Sequence, residues 1–179
     1  GNAGAWGGDV ASTLRAAAVL NPGGAQTTWP VDRFQFGYRT STLKKAAARS
    51  PAGSHGRRPV VLEADFGLGT GDRQALRARV AEITARRRAS QPPGATCGSV
   101  FRNPRGDSAG RLIEAAGLKG RRVGDAEISE VHANFIVNLG QAQAADVKAL
   151  IGLARNTVQA RFGISLELEI ELVGDWENR

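Results

Sequence analysis

A short stretch in the middle of the 179-residue chain combines residue types that could do chemistry. It reads Gly98-Ser99-Val100-Phe101-Arg102-Asn103-Pro104. The Ser99 hydroxyl can both donate and accept a hydrogen bond, and the preceding glycine lets the backbone approach a ligand closely. Arg102 and Asn103 add guanidinium and amide donors. Taken alone, the stretch fits either a ligand-binding turn or an ordinary turn that contains a serine.

Arg39 and a row of glutamates supply further polar groups. Arg39 follows an aromatic segment and lies among small hydroxyls, in Tyr38-Arg39-Thr40-Ser41. Its planar guanidinium would suit a carboxylate ligand, and a surface cation is the other interpretation. The segment 164–173 alternates between apolar and polar residues, and Glu167, Glu169 and Glu171 share its polar face. From composition alone, that face is solvated.

Charge and composition narrow the class of protein. The net charge is +7 and the isoelectric point is about 10.7, which favours anionic partners such as nucleic acids, phosphates or nucleotide-linked substrates. Aromatic residues are few and are not interleaved with the basic ones, which weakens the nucleic-acid interpretation. No apolar run is long enough to span a membrane. One cysteine excludes an internal disulfide, and with two histidines it cannot complete a four-ligand zinc site of Cys and His.

The periodicity predicts helices and strands that would position these groups. Alternation predicts a strand at 60–66, and Asp72 is a candidate N-cap for a helix that runs to about Ala89. Strands are predicted at 133–137 and 164–173, the first with Ala133, Phe135 and Val137 facing inward. A helix with the apolar stripe Val147, Leu150, Ile151, Ala154 and Val158 lies between them and ends at Gly163. The connection over residues 44–59 is expected to be an exposed loop, and its His55 is given no role.

Several motifs, in order and with their spacing, resemble those of one family. The chain is similar to the UDP-N-acetylenolpyruvoylglucosamine reductases, the MurB flavoenzymes, over nearly all of its 179 residues. The matching motifs are Gly1-Asn2-Ala3-Gly4-Ala5-Trp6-Gly7, Phe36-Gly37-Tyr38-Arg39-Thr40-Ser41, Cys97-Gly98-Ser99-Val100-Phe101-Arg102-Asn103-Pro104, Ala109-Gly110-Arg111-Leu112-Ile113-Glu114-Ala115-Ala116-Gly117-Leu118-Lys119-Gly120, His132-Ala133-Asn134-Phe135-Ile136-Val137-Asn138 and Phe162-Gly163-Ile164-Ser165-Leu166-Glu167-Leu168-Glu169.

The resemblance implies an α+β fold in two domains. Residues 1–88 would be the C-terminal part of the FAD-binding domain, and residues 89–179 would be the substrate-binding domain. The chain opens inside a motif and contains no methionine, so we expect it to be N-terminally truncated and to lack the first phosphate-binding loop. The tyrosine-bearing loop found in one form of the family between the Arg and Ser motifs is not recognisable here.

The resemblance also implies an activity and a site. The family uses FAD and NADPH to reduce UDP-N-acetylglucosamine enolpyruvate to UDP-N-acetylmuramate in peptidoglycan synthesis, and so serves cell-wall biogenesis, cell shape and division. Matching positions make Arg39, Ser99 and Glu169 the catalytic residues. Glu171 stands where the family often has an arginine. The expected substrate contacts are Arg39, Asn103 and Lys119. The expected cofactor contacts are Asn2, Ala3, Gly4, Gly7 and Tyr38.

Two alternatives stay open at this point. The chain could be an inactive fragment that only binds the UDP-sugar, or a basic nucleic-acid-binding domain supported by its charge alone. We expect no nucleic acid, no metal and no membrane as partners, and a cytoplasmic monomer.

Overall fold

The computed structural model describes residues 2–48, 58–174 and 176. His55 and most of the predicted loop at 44–59 lie outside these residues. Residues 44–48 are described and form part of a helix, so the prediction of a loop was wrong there. The chain divides into two compact units, Gly1–Arg77 and Ala78–Arg179. The division falls inside a long helix, α3, which spans Arg73–Ser90. The predicted boundary between residues 88 and 89 lies near the other end of the same helix and stays a prediction.

The first unit is built on a three-stranded antiparallel sheet, in the order β4-β3-β5. Its core is formed by Leu14, Ala17, Val19, Trp29 and Phe34. The elements in chain order are β1 (Gly4–Ala5), β2 (Gly8–Asp9), α1 (Val10–Thr13), β3 (Leu14–Leu20), β4 (Gln26–Pro30), a 3-10 helix (Val31–Phe34), α2 (Thr42–Ala48) and β5 (Val60–Phe66).

Strand β5 and helix α3 confirm the sequence prediction in type and position. Neither element buries any of its residues, and both carry exposed apolar side chains. Asp72 caps α3 as expected, since its Oδ1 accepts the N–H of Ala75 at 2.7 Å. Every residue of β5 is exposed, and its apolar residues Val60, Leu62 and Phe66 each keep about half of their surface accessible, at 50%, 52% and 51%. The pairing of β5 with β3 shifts register between Val61 and Glu63, so the alternation does not give one continuous apolar face. These apolar side chains are left uncovered by the described residues.

The second unit combines a four-stranded sheet with two helices. The sheet is antiparallel in the order β6-β9-β8-β7. Helix α5 packs against β7, β8 and α4. The elements are β6 (Ala95–Ser99), α4 (Ala109–Ala115), β7 (Arg122–Val123), β8 (Ala126–Ile128), β9 (Phe135–Asn138) and α5 (Ala144–Phe162). Both units mix helix and sheet, which confirms the α+β fold class.

Helix α5 follows its predicted apolar stripe. Leu150, Ile151, Ala154 and Val158 are its buried residues, and they join the main core of the unit. The helix ends where the sequence indicated, because Gly163 adopts a left-handed conformation with φ of 69°.

The last predicted strand, at 164–173, is reduced to one bridge. Leu168 pairs with Phe101, and the flanking backbone bonds run from Arg102 N to Glu167 O and from Glu169 N to Val100 O, both at 2.8 Å. The ladder stops there because the facing segment reaches Asn103-Pro104, and a proline has no N–H to continue it. The prediction of a regular strand was wrong, although the segment still lies against the Ser99 stretch.

Candidate functional site

The second unit contains a cavity that Ser99 lines, called here the Ser99 cavity. Its volume is about 270 Å³. The lining is mostly polar and comes from the end of β6, from α4 and its approach, and from the segment before β9. The lining residues are Ser99, Asn103, Ser108, Gly110, Arg111, Glu114, Val131, His132, Ala133 and Asn134.

Ser99 is positioned by a buried asparagine that acts on the residues after it. Asn134 is only 3% exposed. Its Oδ1 accepts the Phe101 N–H at 2.9 Å, its Nδ2 donates to the Phe101 carbonyl at 2.8 Å, and its own carbonyl accepts the Val100 N–H at 2.9 Å. These three bonds hold the backbone directly after Ser99. The alternation of the sequence predicted that Asn134 faces outward. That prediction was wrong, because Asn134 pairs with the backbone of a residue far away in the chain, which alternation cannot reveal.

A glycine sets the backbone just before Ser99. Gly98 has φ of 78°, and the β6–β9 register shifts between Thr96 and Ser99. A Cβ at Gly98 would meet no other atom within 4 Å, so the glycine is required by its left-handed backbone and not by close packing. The result is a local irregularity that ends β6 at the serine.

Asn103 joins the Ser99 stretch to α4. Its Oδ1 accepts the N–H of Ala109 at 3.1 Å and so satisfies one donor at the start of the helix. Ser108 is the N-cap, with its Oγ accepting the N–H of Arg111 at 3.3 Å. The side-chain oxygen of Asn103, Oδ1, therefore already accepts a hydrogen bond, and the Nδ2 group of the same amide is the part available to a ligand.

Two ion pairs hold charges around the cavity. Arg111 donates from Nε to Asp107 at 2.7 Å and makes a second contact through its terminal nitrogen. The hydrogen bond from the Arg111 side chain is the main cause that lowers the Asp107 pKa to about 2. The hydrogen bond from the Ser108 N–H lowers the same pKa further. Lys119 Nζ lies 2.7 Å from Glu114 Oε1, with the lysine side chain 25% exposed. Sequence reasoning identified Lys119 but missed its acidic partner.

Glu169 differs from the two neighbouring glutamates in its surroundings. It is half-buried, whereas Glu167 and Glu171 are exposed. Its N–H bonds to the Val100 carbonyl, which places its backbone beside the residue that follows Ser99. Within the second unit, Ser99 and Asn103 line the Ser99 cavity, whereas Lys119 pairs with the lining residue Glu114 and Glu169 reaches Val100 only through its backbone. The grouping of all four as one site stays a prediction.

The first unit groups the predicted cofactor residues around a short hairpin. Strands β1 and β2 are joined by Trp6 and Gly7, both with positive φ, at 56° and 88°. This is the conformation of a two-residue hairpin turn. Both side-chain groups of Asn2 are engaged internally, since Nδ2 donates to Asp9 Oδ2 at 2.6 Å and Oδ1 accepts the Ala11 N–H at 3.0 Å. The Asn2 bond is the largest cause that lowers the Asp9 pKa.

Tyr38 and Arg39 lie next to this hairpin. The backbone of Asn2 bridges that of Tyr38, and Val10 N donates to Ala3 O at 3.0 Å. Arg39 has φ of 54° in a two-residue turn between Gly37 and Thr40, and its guanidinium carbon lies 5.3 Å from the Tyr38 ring centre. Arg39 belongs to the first unit and Ser99 to the second, so their catalytic grouping stays a prediction.

The hairpin and Tyr38 form an exposed surface of the first unit. The tyrosine ring is 61% exposed, and a Cβ at Gly7 or Gly8 would meet no atom within 4 Å, so the backbone there is open to approach. An exposed ring and bare backbone amides suit a flat ring system or a phosphate. Among the described residues, no group of three or more His, Cys, Asp or Glu side chains could hold a metal ion.

His132 is a cavity residue to which the sequence gave no clear role. Its Nδ1 accepts the N–H of Asn134 at 3.2 Å, and its ring meets that of Phe135 edge-on with centres 5.0 Å apart. Burial lowers the His132 pKa, and the charge of Lys119 acts in the same direction, whereas a backbone hydrogen bond and Glu114 oppose the shift. The signal available in the sequence was that His132 opens the family motif His132-Ala133-Asn134-Phe135-Ile136-Val137-Asn138.

Cys97 lies two residues before Ser99, in β6, and is exposed. Partial burial of its sulfur raises the pKa of the thiol.

Comparison with known proteins gives one consistent family. A model of the C-terminal domain of UDP-N-acetylenolpyruvoylglucosamine reductase matches residues 90–173. A protein of that name from Chloroflexus aggregans is 53% identical over 173 residues, which are 97% of this chain and 56% of the relative. UDP-N-acetylenolpyruvoylglucosamine reductase 2 from Symbiobacterium thermophilum is 47% identical, with 97% and 53% covered.

A solved structure agrees with the sequence relatives. The crystal structure of UDP-N-acetylenolpyruvylglucosamine reductase (MurB) from Thermus caldophilus matches with a TM-score of 0.76 and 40% identity, over 95% of this chain and 56% of that chain. The chain thus spans about half the length of the curated relatives it matches.

Proposed function

The chain belongs to the UDP-N-acetylenolpyruvoylglucosamine reductase family, and on that premise we propose that it contributes the substrate-binding part of an enzyme that reduces UDP-N-acetylglucosamine enolpyruvate to UDP-N-acetylmuramate. The observation that carries the proposal is the Ser99 cavity, because Ser99 and Asn103 both line it. The reaction would serve peptidoglycan precursor synthesis.

FAD and NADPH are the cofactors of this proposal. Bound FAD, once reduced by NADPH, would supply the hydride for the enolpyruvyl double bond. The hairpin surface would contact the flavin nucleotide through the backbones of Ala3, Gly4 and Gly7 and through the exposed ring of Tyr38. Asn2 would act by holding the hairpin, because its side chain is bonded to Asp9 and Ala11.

Arg39 would bind the carboxylate of the enolpyruvyl group. A fixed guanidinium aimed at a carboxylate stabilises the negative charge that develops next to it during reduction, and such preorganised charges contribute several kcal/mol, on the order of 3. The left-handed backbone of Arg39 costs about 1 kcal/mol, and strain of this kind is typical of residues that a site must aim.

Ser99 would donate the proton that completes the reduction, from its Oγ. A serine hydroxyl is a weak acid, so it has to be held in place. The bonds that Asn134 makes to Phe101 and Val100 provide that rigidity. Glu169, half-buried and bonded through its N–H to Val100, would orient or polarise the intermediate.

Asn103 and Lys119 would bind the nucleotide part of the substrate. Asn103 would donate from Nδ2, and Lys119 would supply positive charge to the diphosphate. Since Lys119 is paired with Glu114 at 2.7 Å, the bound diphosphate would compete with that carboxylate for the lysine.

A second candidate is a binding module without turnover. Four of the proposed catalytic and substrate-binding residues, all except Arg39, belong to the second unit, and this module would bind the UDP-sugar through them. No helix of the described residues is long and apolar enough to cross a membrane. We further propose a cytoplasmic monomer that binds no nucleic acid.

The test is a calorimetric titration of the chain with UDP-N-acetylglucosamine enolpyruvate, with and without FAD. We expect saturable binding that Asn103→Ala weakens by about 3- to 10-fold, because one hydrogen bond to the ligand is lost. Asn21→Ala, at a half-buried turn residue of the first unit, is the control and should bind like the wild type. Absence of binding would refute the proposal. If the substrate binds, NADPH is added: turnover indicates an enzyme, and no turnover indicates a binding module.

A further inference from the structure

We propose that Trp176 is a positioning residue, which fixes the segment around Glu169 by anchoring the stretch that follows it to helix α5 through Lys148. The contact of Lys148 with Trp176 is called here the Lys148–Trp176 anchor. The inference rests on the proposed function, because that function gives Glu169 its task, and it adds a residue outside the Ser99 cavity. All three residues belong to the second unit.

The segment around Glu169 has few backbone bonds of its own. It pairs through a single bridge, and the Glu169 N–H, bonded to the Val100 carbonyl at 2.8 Å, is the last donor of that pairing. Among the described residues, no backbone N–H beyond Glu169 bonds to another backbone group. Leu166 is fully buried before Glu169, whereas Ile170 after it is only partly buried. The segment is therefore held firmly before Glu169 and weakly after it.

An exposed stretch follows the segment. Residues 171–174 are all exposed, with Leu172 at 40% and Val173 at 83%. A stretch of this kind opens easily unless it is tied down, and the opening spreads to the nearest paired residue, which here is Glu169. An attachment beyond residue 174 would therefore act directly on the order of Glu169.

Trp176 supplies that attachment, on helix α5. Lys148 Nζ donates to the Trp176 carbonyl at 3.2 Å, and the same nitrogen lies 4.9 Å from the centre of the indole ring. The first contact is a hydrogen bond from a charged donor, and the second has the geometry of a cation–π interaction. One lysine thus holds both the backbone and the ring. Leu150 and Ile151, in the same turn of α5, are buried in the core and make the helix a firm support.

The indole acts through its ring and not through its N–H. Its Nε1 is buried and has no hydrogen-bond partner among the described residues. Phenylalanine in place of Trp176 would keep an aromatic face for Lys148 and would leave out the unused donor. Trp176→Phe is therefore the conservative variant, and Trp176→Ala is the variant that removes the ring contact.

The first experiment measures amide hydrogen exchange of the ligand-free chain by nuclear magnetic resonance. Trp176→Ala should accelerate exchange of the Glu169 N–H by about 5- to 10-fold, because the ring contact that restrains the following stretch is lost. The reference is the Leu139 N–H, which donates to the Asp125 carbonyl at 2.8 Å at the end of another paired segment and should keep its rate. A general loss of stability would accelerate both amides.

Variants on both sides of the contact test the anchor itself. Trp176→Phe and Lys148→Arg should keep Glu169 exchange close to the wild-type rate. Lys148→Met, which keeps the length of the side chain but loses its charge, should resemble Trp176→Ala. Unchanged Glu169 exchange in a folded Trp176→Ala variant, or equal acceleration at Glu169 and Leu139, overturns the proposal. If Trp176→Ala fails to fold, the two Lys148 variants decide by the same comparison.

The second experiment connects the anchor to the proposed function. UDP-N-acetylglucosamine enolpyruvate should shift the amide signals of Ser99 and Glu169 in the wild type, and in Trp176→Ala only the Ser99 shift should keep its full size. Binding that shifts Ser99 but leaves Glu169 unmoved in the wild type overturns the positioning role and leaves the proposed binding intact. If the wild type binds nothing, the proposed function fails, and hydrogen exchange still decides whether Trp176 orders Glu169.

Discussion

At the scale of single residues, the Asp107–Arg111 pair links cavity geometry to pH. The Arg111 side chain lowers the Asp107 pKa from 3.8 to about 2, with a further contribution from the Ser108 N–H. A carboxyl group whose pKa is lower in the folded protein stabilises it above the ordinary pKa, and this stabilisation is lost as the pH falls towards the folded value. The relevant window therefore lies between about pH 4 and pH 2.

We predict that Asp107→Asn lowers the melting temperature above pH 4 and that its difference from wild type shrinks as the pH falls to about 2. Thermal unfolding followed by circular dichroism between pH 2 and pH 6 measures this. The exposed Glu171→Gln is the control and should give a small difference across the range. A gap for Asp107→Asn that is constant with pH would contradict the assignment of the shift to the folded ion pair.

At the scale of elements, the Asn134 side chain pairs with the backbone N–H and carbonyl of Phe101, as a neighbouring strand would otherwise do. Asn134→Ala leaves a buried N–H and a buried carbonyl of Phe101 without their partner, so we expect the free energy of unfolding to fall by about 2–4 kcal/mol. Urea denaturation measures it. Asn138→Ala is the matched control, because Asn138 also accepts two backbone N–H groups but does so at an exposed site. A loss of about 1 kcal/mol or less is expected there, and equal losses in both variants would argue against a special role for burial.

Helix α5 offers a pair of glycine substitutions with opposite expected signs. A Cβ would meet no atom within 4 Å at either Gly152 or Gly163. Gly152 lies inside the helix, so Gly152→Ala should raise the free energy of unfolding by about 0.5–1 kcal/mol. Gly163 has φ of 69°, so Gly163→Ala should lower it by about 1 kcal/mol. Urea denaturation of both variants gives the signs, and a destabilised Gly152→Ala would show that the helix interior tolerates no extra methyl group.

The elements also show where sequence reasoning succeeds and where it stops. Long periodic segments such as β5, α3 and α5 were predicted correctly, because their patterns repeat over several turns or pleats. No strand was predicted for the hairpin of β1 and β2, since strands of two residues have no period to detect. The segment 164–173 was predicted as a strand, and its pairing is limited by a proline in its partner, which its own pattern cannot reveal.

The same distinction holds within the site. The family motifs predict site roles for Ser99, Asn103 and Lys119 from short-range spacing. The contacts of Asn134 with Phe101 span 33 positions, and the approach of Gly110 to His132 also depends on the tertiary fold. Residues that act through such distant contacts are visible only in the structure.

At the scale of the whole molecule, β5 is one strand whose apolar side chains stay exposed among the described residues. Val60, Leu62 and Phe66 of this strand are each about half exposed. Exposed apolar surface of this kind binds apolar dyes and promotes association. Its exposure is therefore a measurable property of the chain as it stands.

We predict that Leu62→Lys reduces the fluorescence of the anionic dye anilinonaphthalene sulfonate on binding, with little change in the free energy of unfolding. The added positive charge by itself would attract the dye, so a decrease reports the lost apolar contact. Glu63→Gln changes the net charge by the same amount at the next position of β5, where no apolar side chain is removed, and should not reduce the signal. Equal dye binding in wild type and Leu62→Lys would place the dye elsewhere.

The single cysteine gives this molecule a natural attachment point for a reporter. Cys97 is exposed and lies two residues before Ser99, so one maleimide fluorophore would mark the edge of the cavity without any engineered residue. Because its thiol pKa is raised, coupling would be slow at neutral pH and would accelerate as the pH increases. The labelled chain could then report occupancy of the cavity by a change in emission, in volumes too small for calorimetry.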